Sequence, residues 1–193
     1  GSEMCIRDSS YHGITYAEHF GKEGAFITKA TAQLMRDFGC VQSPINAYML
    51  NLGLESLHVR MARHCENGQA VAEFLASHPK IAYVNYCGLP GDKYHAVAEK
   101  YLPNGSCGVV SFGVKGGREA AAAFMGHLKI AAIETHVADA RTCCLHPASS
   151  THRQMNDEQL IAAGVQPDLV RMSCGLEDKN DLIHDIAQAL DQI

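Results

Sequence analysis

The sequence predicts an α/β (α+β) chain: a sheet of four or five short strands, covered by helices on one side and preceded by a long helix. Three observations carry this. After Pro79, short β-compatible apolar runs alternate with helix-period segments, as in layered α/β domains. Before it, Ala47, Leu50, Leu54, Leu57 and Met61 recur by threes and fours, and the pattern runs through Val71, Phe74 and Leu75 to His78-Pro79. The chain then closes on an amphipathic helix, Lys179 to Gln192, whose Leu182, Ile183, Ile186 and Leu190 form its buried face. The expected divisions are a leader at 1–10, a helical region at 11–78 and the sheet domain at 79–193.

Taken in order, Gly1-Ser2 reads as a tag-cleavage scar, and Glu3 to Ser10 as leader or foreign sequence outside the fold. Glu23 to Phe38 is helical, with Phe26, Ala30 and Leu34 on one stripe and Gly39 as the stop. Lys29, Gln33 and Arg36 fall on the opposite face, so Lys29 is expected to be solvated rather than catalytic. Ser43-Pro44 supplies an N-cap and a proline at the first helical position. A continuous helix from there to Pro79 would span about 50 Å at 1.5 Å per residue. That is too long to bury inside one small domain, unless Gly53 or Gly68 kinks it.

Ile81–Tyr86, Cys107–Val114, Ile130–Ile133, Thr142–Leu145 and Leu169–Cys174 read as strands. Between them, Asp92 can cap a helix running to Tyr101, and Gly116-Gly117 turns the chain into an Ala-rich helix from Glu119 to Leu128. Asn156 with Gln159 forms a capping box for a short helix stopped by Gly164.

The 193 residues suffice for one large domain with a proper core, and 47% hydrophobic with 19% charged residues is ordinary globular composition. A net charge of −5 without a Lys/Arg run argues against nucleic acid or an anionic membrane as partner. No apolar run approaches the roughly 20 residues of a membrane span. Eight cysteines without a CxxC pair, several in apolar surroundings, fit a reducing cytoplasm with few or no disulfides. No HxxxH or HExxH spacing occurs among the eleven histidines, so no metal is expected.

Ionisable and nucleophilic groups concentrate between His136 and His152, around the β-compatible Thr142–Leu145. Cys143 and Cys144 would then point to opposite faces. Arg171 stands inside an otherwise apolar strand, sharing a face with Leu169 and Ser173. A buried guanidinium needs a partner, and its fork matches a carboxylate. Either a ligand anion or an internal acid such as Asp139 or Glu177 would serve.

Several segments are recognisable together: Ser43-Pro44-Ile45-Asn46-Ala47, Gly53-Leu54-Glu55-Ser56-Leu57, Arg60-Met61-Ala62-Arg63-His64 and Asn85-Tyr86-Cys87-Gly88-Leu89-Pro90. With Phe112 to Gly117, His146-Pro147-Ala148-Ser149-Ser150-Thr151-His152 and Arg171 to Asp178, they resemble the C-terminal part of the Cys/Met-metabolism pyridoxal-phosphate enzymes, and within these the sulfhydrylase branch. The resemblance runs from Tyr11 to the end of the chain. It implies the small C-terminal domain of the type I aminotransferase fold, with 11–78 holding a helical remnant of the cofactor domain and the connecting helix.

It also implies a thiol transfer to a homoserine ester in methionine and cysteine biosynthesis, with Arg171 binding the substrate α-carboxylate. His136 and Asp139 lie where some members carry Asn-Val-Gly-Asp, and are expected to line the same pocket. The family's Ser-x-Thr-Lys cofactor segment has no counterpart here, since Ile27-Thr28-Lys29-Ala30 lies downstream of that position and lacks the serine. Pyridoxal phosphate therefore belongs to the full-length family, with none expected bound covalently to this chain and no catalytic residue assigned.

Two other readings accompany an inactive carboxylate-binding fragment. One is an interaction module for a partner carrying the cofactor domain. The other is an acquired ester hydrolase using Ser149, Cys143 or Cys107 with a nearby His such as His146, though no Gly-x-Ser-x-Gly elbow exists. Apolar positions on the 43–79 helix are expected to drive homo-oligomer formation.

Overall fold

The computed structural model describes residues 6–9 and 11–193. It divides into two compact units, 1–54 and 55–193. The leader expectation for residues 1–5 and 10 lies outside the described residues. Within 6–9, Ile6 is not outside the fold: it packs with Tyr16 and Ala25 in the small core of the first unit.

In that unit α1 spans Tyr16–Lys29 and is broken at Gly21, whose φ of 66° and ψ of 171° suit glycine. The helix continues in π form over Ala30–Met35 and ends at Gly39, in the left-handed region at φ 67°. The expected polarity of this helix fails at its apolar stripe and at Lys29, although Arg36 is exposed as expected. Phe26, Ile27, Leu34 and Phe38 are exposed, whereas Lys29 is only 7% exposed. Its ammonium lies 2.6 Å from Asp8 Oδ2 and 5.6 Å from the centroid of the Tyr16 ring. A charge pair and an aromatic face replace the water that a lysine on that face would otherwise need.

The long helix is two helices. α2 covers Pro44–Glu55, with Asn46 N–H donating to Ser43 Oγ at 3.2 Å, and α3 covers Leu57–Ser77. The interruption is at Ser56, not at a glycine. Its φ of −103° and ψ of 0° leave the helical region, and its Oγ accepts from Arg60 Nε at 3.1 Å. A serine hydroxyl that competes for local hydrogen bonds favours helix starts over helix interiors. Gly68 serves close packing instead of bending: a Cβ there would meet the Cys107 carbonyl oxygen at 2.6 Å.

In the second unit β1 (Ile81–Asn85), β2 (Val109–Val114), β3 (Ala132–Ile133), β4 (Cys143–Leu145) and β5 (Leu169–Ser173) form one mixed sheet. The order is β1-β2-β5-β4-β3, antiparallel except for the parallel β3–β4 pair. Helices α4 (His95–Tyr101), α5 (Gly117–His127), α6 (Asp157–Ala162) and α7 (Lys179–Asp191) fill the connections. α3 joins this unit ahead of Pro79, because Val71, Ala72 and Leu75 are completely buried in its core. Val110, Phe112, Val114, Val170 and Met172 form one face of the sheet and pack against Phe124, Leu182, Ile186 and Leu190. The Asn156–Gln159 capping box forms as expected.

α7 also ties down the chain entering β3. The buried Asp185 carboxylate accepts from the backbone N–H groups of Lys129 (2.8 Å), Ile130 (2.9 Å) and Ala131 (3.1 Å). Without it these donors would lose their partners.

Candidate functional site

Strand alternation places Arg171 and Ser173 on the face turned away from the helical core, with Ser111 of β2 and Leu145 of β4 beside Arg171. The β3–β4 connection crosses that face. Its Thr135 carbonyl accepts from Arg171 Nη2 at 2.8 Å, and Ala138 N–H donates to Ser173 Oγ at 3.0 Å. Ala138 sits at φ 59°, a conformation that favours the glycine found there in Asn-Val-Gly-Asp members. These two contacts fix where His136 and Asp139 hang.

Neither internal acid holds Arg171. Glu177 accepts from Thr142 N–H at 2.7 Å and from Thr142 Oγ1 at 2.8 Å. Asp139 Oδ1 accepts from Arg141 N–H at 2.9 Å, the main reason its carboxyl lies below the usual aspartate range; desolvation opposes the shift, and the Arg141 and His136 charges add to it. No carboxylate among the described residues pairs with Arg171, and its Nε is buried without a hydrogen-bond partner.

His136 is 60% exposed, with Nδ1 2.9 Å from Glu134 Oε2 and 3.6 Å from Asp139 Oδ2. Arg141 joins the same acids, Nη2 lying 3.2 Å from Glu134 Oε2 and Nε 3.6 Å from Asp139 Oδ1. The chain thus brings His136 and Asp139 together and sets the backbone beside His136 against Arg171. It does not put Asp139 on Arg171. Glu134 escaped the sequence reading and Arg141, within the ionisable stretch, was given no role, because a one-residue strand overhang and a polar connection carry no periodic signal.

The clamp after β5 also went unread. His64 Nδ1 lies 2.6 Å from the Cys174 carbonyl, and Asn67 Nδ2 donates to the Gly175 (2.9 Å) and Glu177 (2.8 Å) carbonyls. Gly175 is required there, since a Cβ would stand 2.5 Å from the Ala140 carbonyl oxygen. A cavity of about 100 Å³ beside this clamp is lined by His64, Val109, Val137 and Ser173.

The nucleophile candidates are poorly served. Burial pushes the Cys107 thiol up, and burial with the Glu134 charge does the same at Cys143, so neither is a ready thiolate. Ser149 Oγ lies 2.9 Å from His146 Nδ1, but the other ring nitrogen faces the Pro167 carbonyl at 2.8 Å instead of a carboxylate. Cys144 pairs with Met172 on the core face and Cys143 with Ser173 on the other, as alternation requires.

The connection crossing the arginine-bearing central strand and the clamp after β5 together build one face of a candidate anion-binding site. Residues 19–191 match the family of Cys/Met metabolism PLP-dependent enzymes, to which this chain belongs. It is 44% identical to the O-acetyl-L-homoserine sulfhydrylase of Leptospira meyeri, covering 96% of this chain and 44% of that protein. Against O-acetyl-L-homoserine sulfhydrylase 1 of Thermus thermophilus it is 43% identical, covering 93% of this chain and 42% of the relative. A crystal structure of a Campylobacter jejuni O-acetylhomoserine (thiol)-lyase superposes with a TM-score of 0.81 at 36% identity, over 96% of this chain and 44% of that one. The chain therefore spans less than half the length of these relatives.

That crystal structure carries N′-pyridoxyl-lysine-5′-monophosphate. The lysines here do not fit such an attachment. Lys29 alone is buried, and Asp8 holds its ammonium. Lys80 donates to the Leu190 and Ile193 carbonyls, Lys115 to Pro79, and Lys179 pairs with Glu66. Lys22, Lys93, Lys100 and Lys129 are exposed.

Proposed function

We propose that this chain supplies the carboxylate-binding side of an O-acetyl-L-homoserine sulfhydrylase pocket, in which a thiol replaces the acetate of the amino-acid ester. The observation that carries the reading is the Arg171 guanidinium, anchored at Nη2 by the Thr135 carbonyl but lacking a carboxylate partner among the described residues. Its planar fork suits bidentate capture of an α-carboxylate, and its placement on a central strand makes that capture rigid. His136 and Asp139, on the connection whose Thr135 carbonyl holds Arg171, are assigned to the ammonium or ester end of the same substrate. Arg171 orients; it moves no proton.

When bound, pyridoxal phosphate supplies the electron sink for elimination and addition at the γ-carbon. No lysine here is set to attach it, so turnover requires a cofactor-bearing region supplied by another part of the protein or by a partner. The decisive assay is acetate release from O-acetyl-L-homoserine with sulfide and pyridoxal phosphate. The chain alone is expected to be inactive, and mixing with the cofactor-bearing region of the Leptospira relative should restore activity that Arg171→Lys abolishes. Turnover by the chain alone, or restored turnover indifferent to Arg171→Lys, refutes the reading.

The setting that fits is a reducing cytoplasm. All seven cysteines in the described residues are free, and no described helix is long and apolar enough to cross a membrane. We also propose homo-oligomerisation through the 43–79 helices. α2 has no buried residue and exposes Ile45, Tyr48, Met49 and Leu52. A monomeric mass by light scattering at high concentration contradicts this.

A further inference from the structure

The cluster at the start of the β3–β4 connection offers a chemistry other than the carboxylate capture proposed for Arg171. A Glu134 carboxylate oxygen, a His136 ring nitrogen and Cys143 Sγ all lie within 4.8 Å of one another. The His136–Glu134 separation is 2.9 Å and the Cys143–Glu134 separation 4.0 Å, with Asp139 Oδ2 a further 3.6 Å from His136 Nδ1. A tetrahedron built with zinc–nitrogen, zinc–oxygen and zinc–sulfur bonds of ordinary length has ligand atoms about 3.3–3.7 Å apart. The observed spacing reaches that geometry with shifts of about 1 Å or less.

We propose that Glu134, His136 and Cys143 form a binding site for one zinc-class divalent cation, with Asp139 or water as the fourth ligand. A thiolate, an imidazole and a carboxylate are a borderline-soft set, which selects zinc or cobalt over magnesium or calcium. Two of the ligands stand on fixed backbone. Cys143 belongs to β4, and Glu134 N–H donates to the Cys144 carbonyl at 3.2 Å. His136 is the adjustable member, being 60% exposed.

The guanidinium of Arg141 contacts Glu134 and Asp139, and at 61% exposure it can swing into solvent when a cation takes the acids. As the metal–sulfur bond forms, the Cys143 thiol proton passes to the buffer; the two carboxylates bring negative charge and the imidazole binds neutral. The site shares His136 and Asp139 with the proposed substrate wall but needs neither Arg171 nor a substrate, so its test reads apart from the sulfhydrylase reading.

The test is a cobalt(II) titration of the full 193-residue chain, freed of metal by a chelator and kept reduced. One equivalent should bind, with a thiolate-to-cobalt charge-transfer band and tetrahedral visible bands that zinc abolishes. His136→Asn and Glu134→Gln, both at non-core positions, should weaken binding by roughly tenfold or more, and Cys143→Ser should remove the charge-transfer band. Cys107→Ser and Cys40→Ser should change nothing. If Cys143→Ser fails to fold by circular dichroism, the two non-core variants decide. Absence of the thiolate band, a band that follows Cys40 or Cys107, or affinity unchanged in His136→Asn overturns the proposal.

Discussion

Replacing Gly68 with alanine should destabilise the second unit, although alanine is the better helix former. In α3 the substitution gains about 1 kcal/mol of helix propensity. Against that, the new Cβ would stand 2.6 Å from the Cys107 carbonyl oxygen, 3.0 Å from Gly108 Cα and 3.3 Å from Tyr86 Oη. A relaxed carbon–oxygen contact is about 3.3–3.6 Å, so helix and strand must separate by roughly 0.7 Å or more. Both near atoms are backbone, which cannot rotate away as a side-chain tip would.

Overpacking of this kind costs about 1–3 kcal/mol. It also strains the hydrogen bond that Tyr86 Oη donates to the Cys107 carbonyl at 2.8 Å, worth about 1 kcal/mol. The net expectation is a loss of roughly 1–3 kcal/mol, read as a lower urea midpoint at unchanged slope. Gly53→Ala is the control, because a Cβ there meets no atom within 4 Å and should be neutral or stabilising by up to about 1 kcal/mol. Equal or greater stability of Gly68→Ala would refute the close-packing role and return Gly68 to a bending one.

Asp185→Asn puts an amide group where three backbone donors converge, leaving one or two without an acceptor, and should cost about 2–4 kcal/mol in urea unfolding. A change below about 0.5 kcal/mol would show that water replaces the carboxylate. Cys40 is exposed, whereas burial and neighbouring charge push the Cys174 thiol up to about 12 and burial raises Cys144 further. Timed alkylation with peptide mapping should label Cys40 first, and Cys144 or Cys174 only on unfolding. Asp178 caps α7, and the Asn180 N–H holds its carboxyl below the ordinary 3.8. A depressed folded value means that its contribution is complete above 3.8 and is lost as pH falls through the lowered value, so Asp178→Asn should flatten that part of the acid-unfolding curve.

Most of the sheet unit was legible in the sequence, because β5, α7 and the capping box of α6 each carry a strong local pattern. Arg171 stood out for the same reason, as a lone charge within an apolar strand. Three features were not legible, each for a physical reason. The break at Ser56 depends on one hydroxyl outcompeting a helical hydrogen bond, with apolar spacing intact on both sides. The burial of Lys29 depends on Asp8, a residue 21 positions away with no periodic tie to it. The Glu134–Arg141 cluster arises from a connection folding across a sheet face, which spacing along the chain does not encode.

Whether Arg171 is a carboxylate clamp is tested most directly by its own Nε–H resonance, assigned through its disappearance in Arg171→Lys. On titration with O-acetyl-L-homoserine that resonance should move saturably, and it should not move with the carboxamide analogue of the same ester. A resonance that stays in place while the rest of the spectrum remains folded, or that responds equally to the neutral analogue, would contradict the clamp and the sulfhydrylase assignment that rests on it.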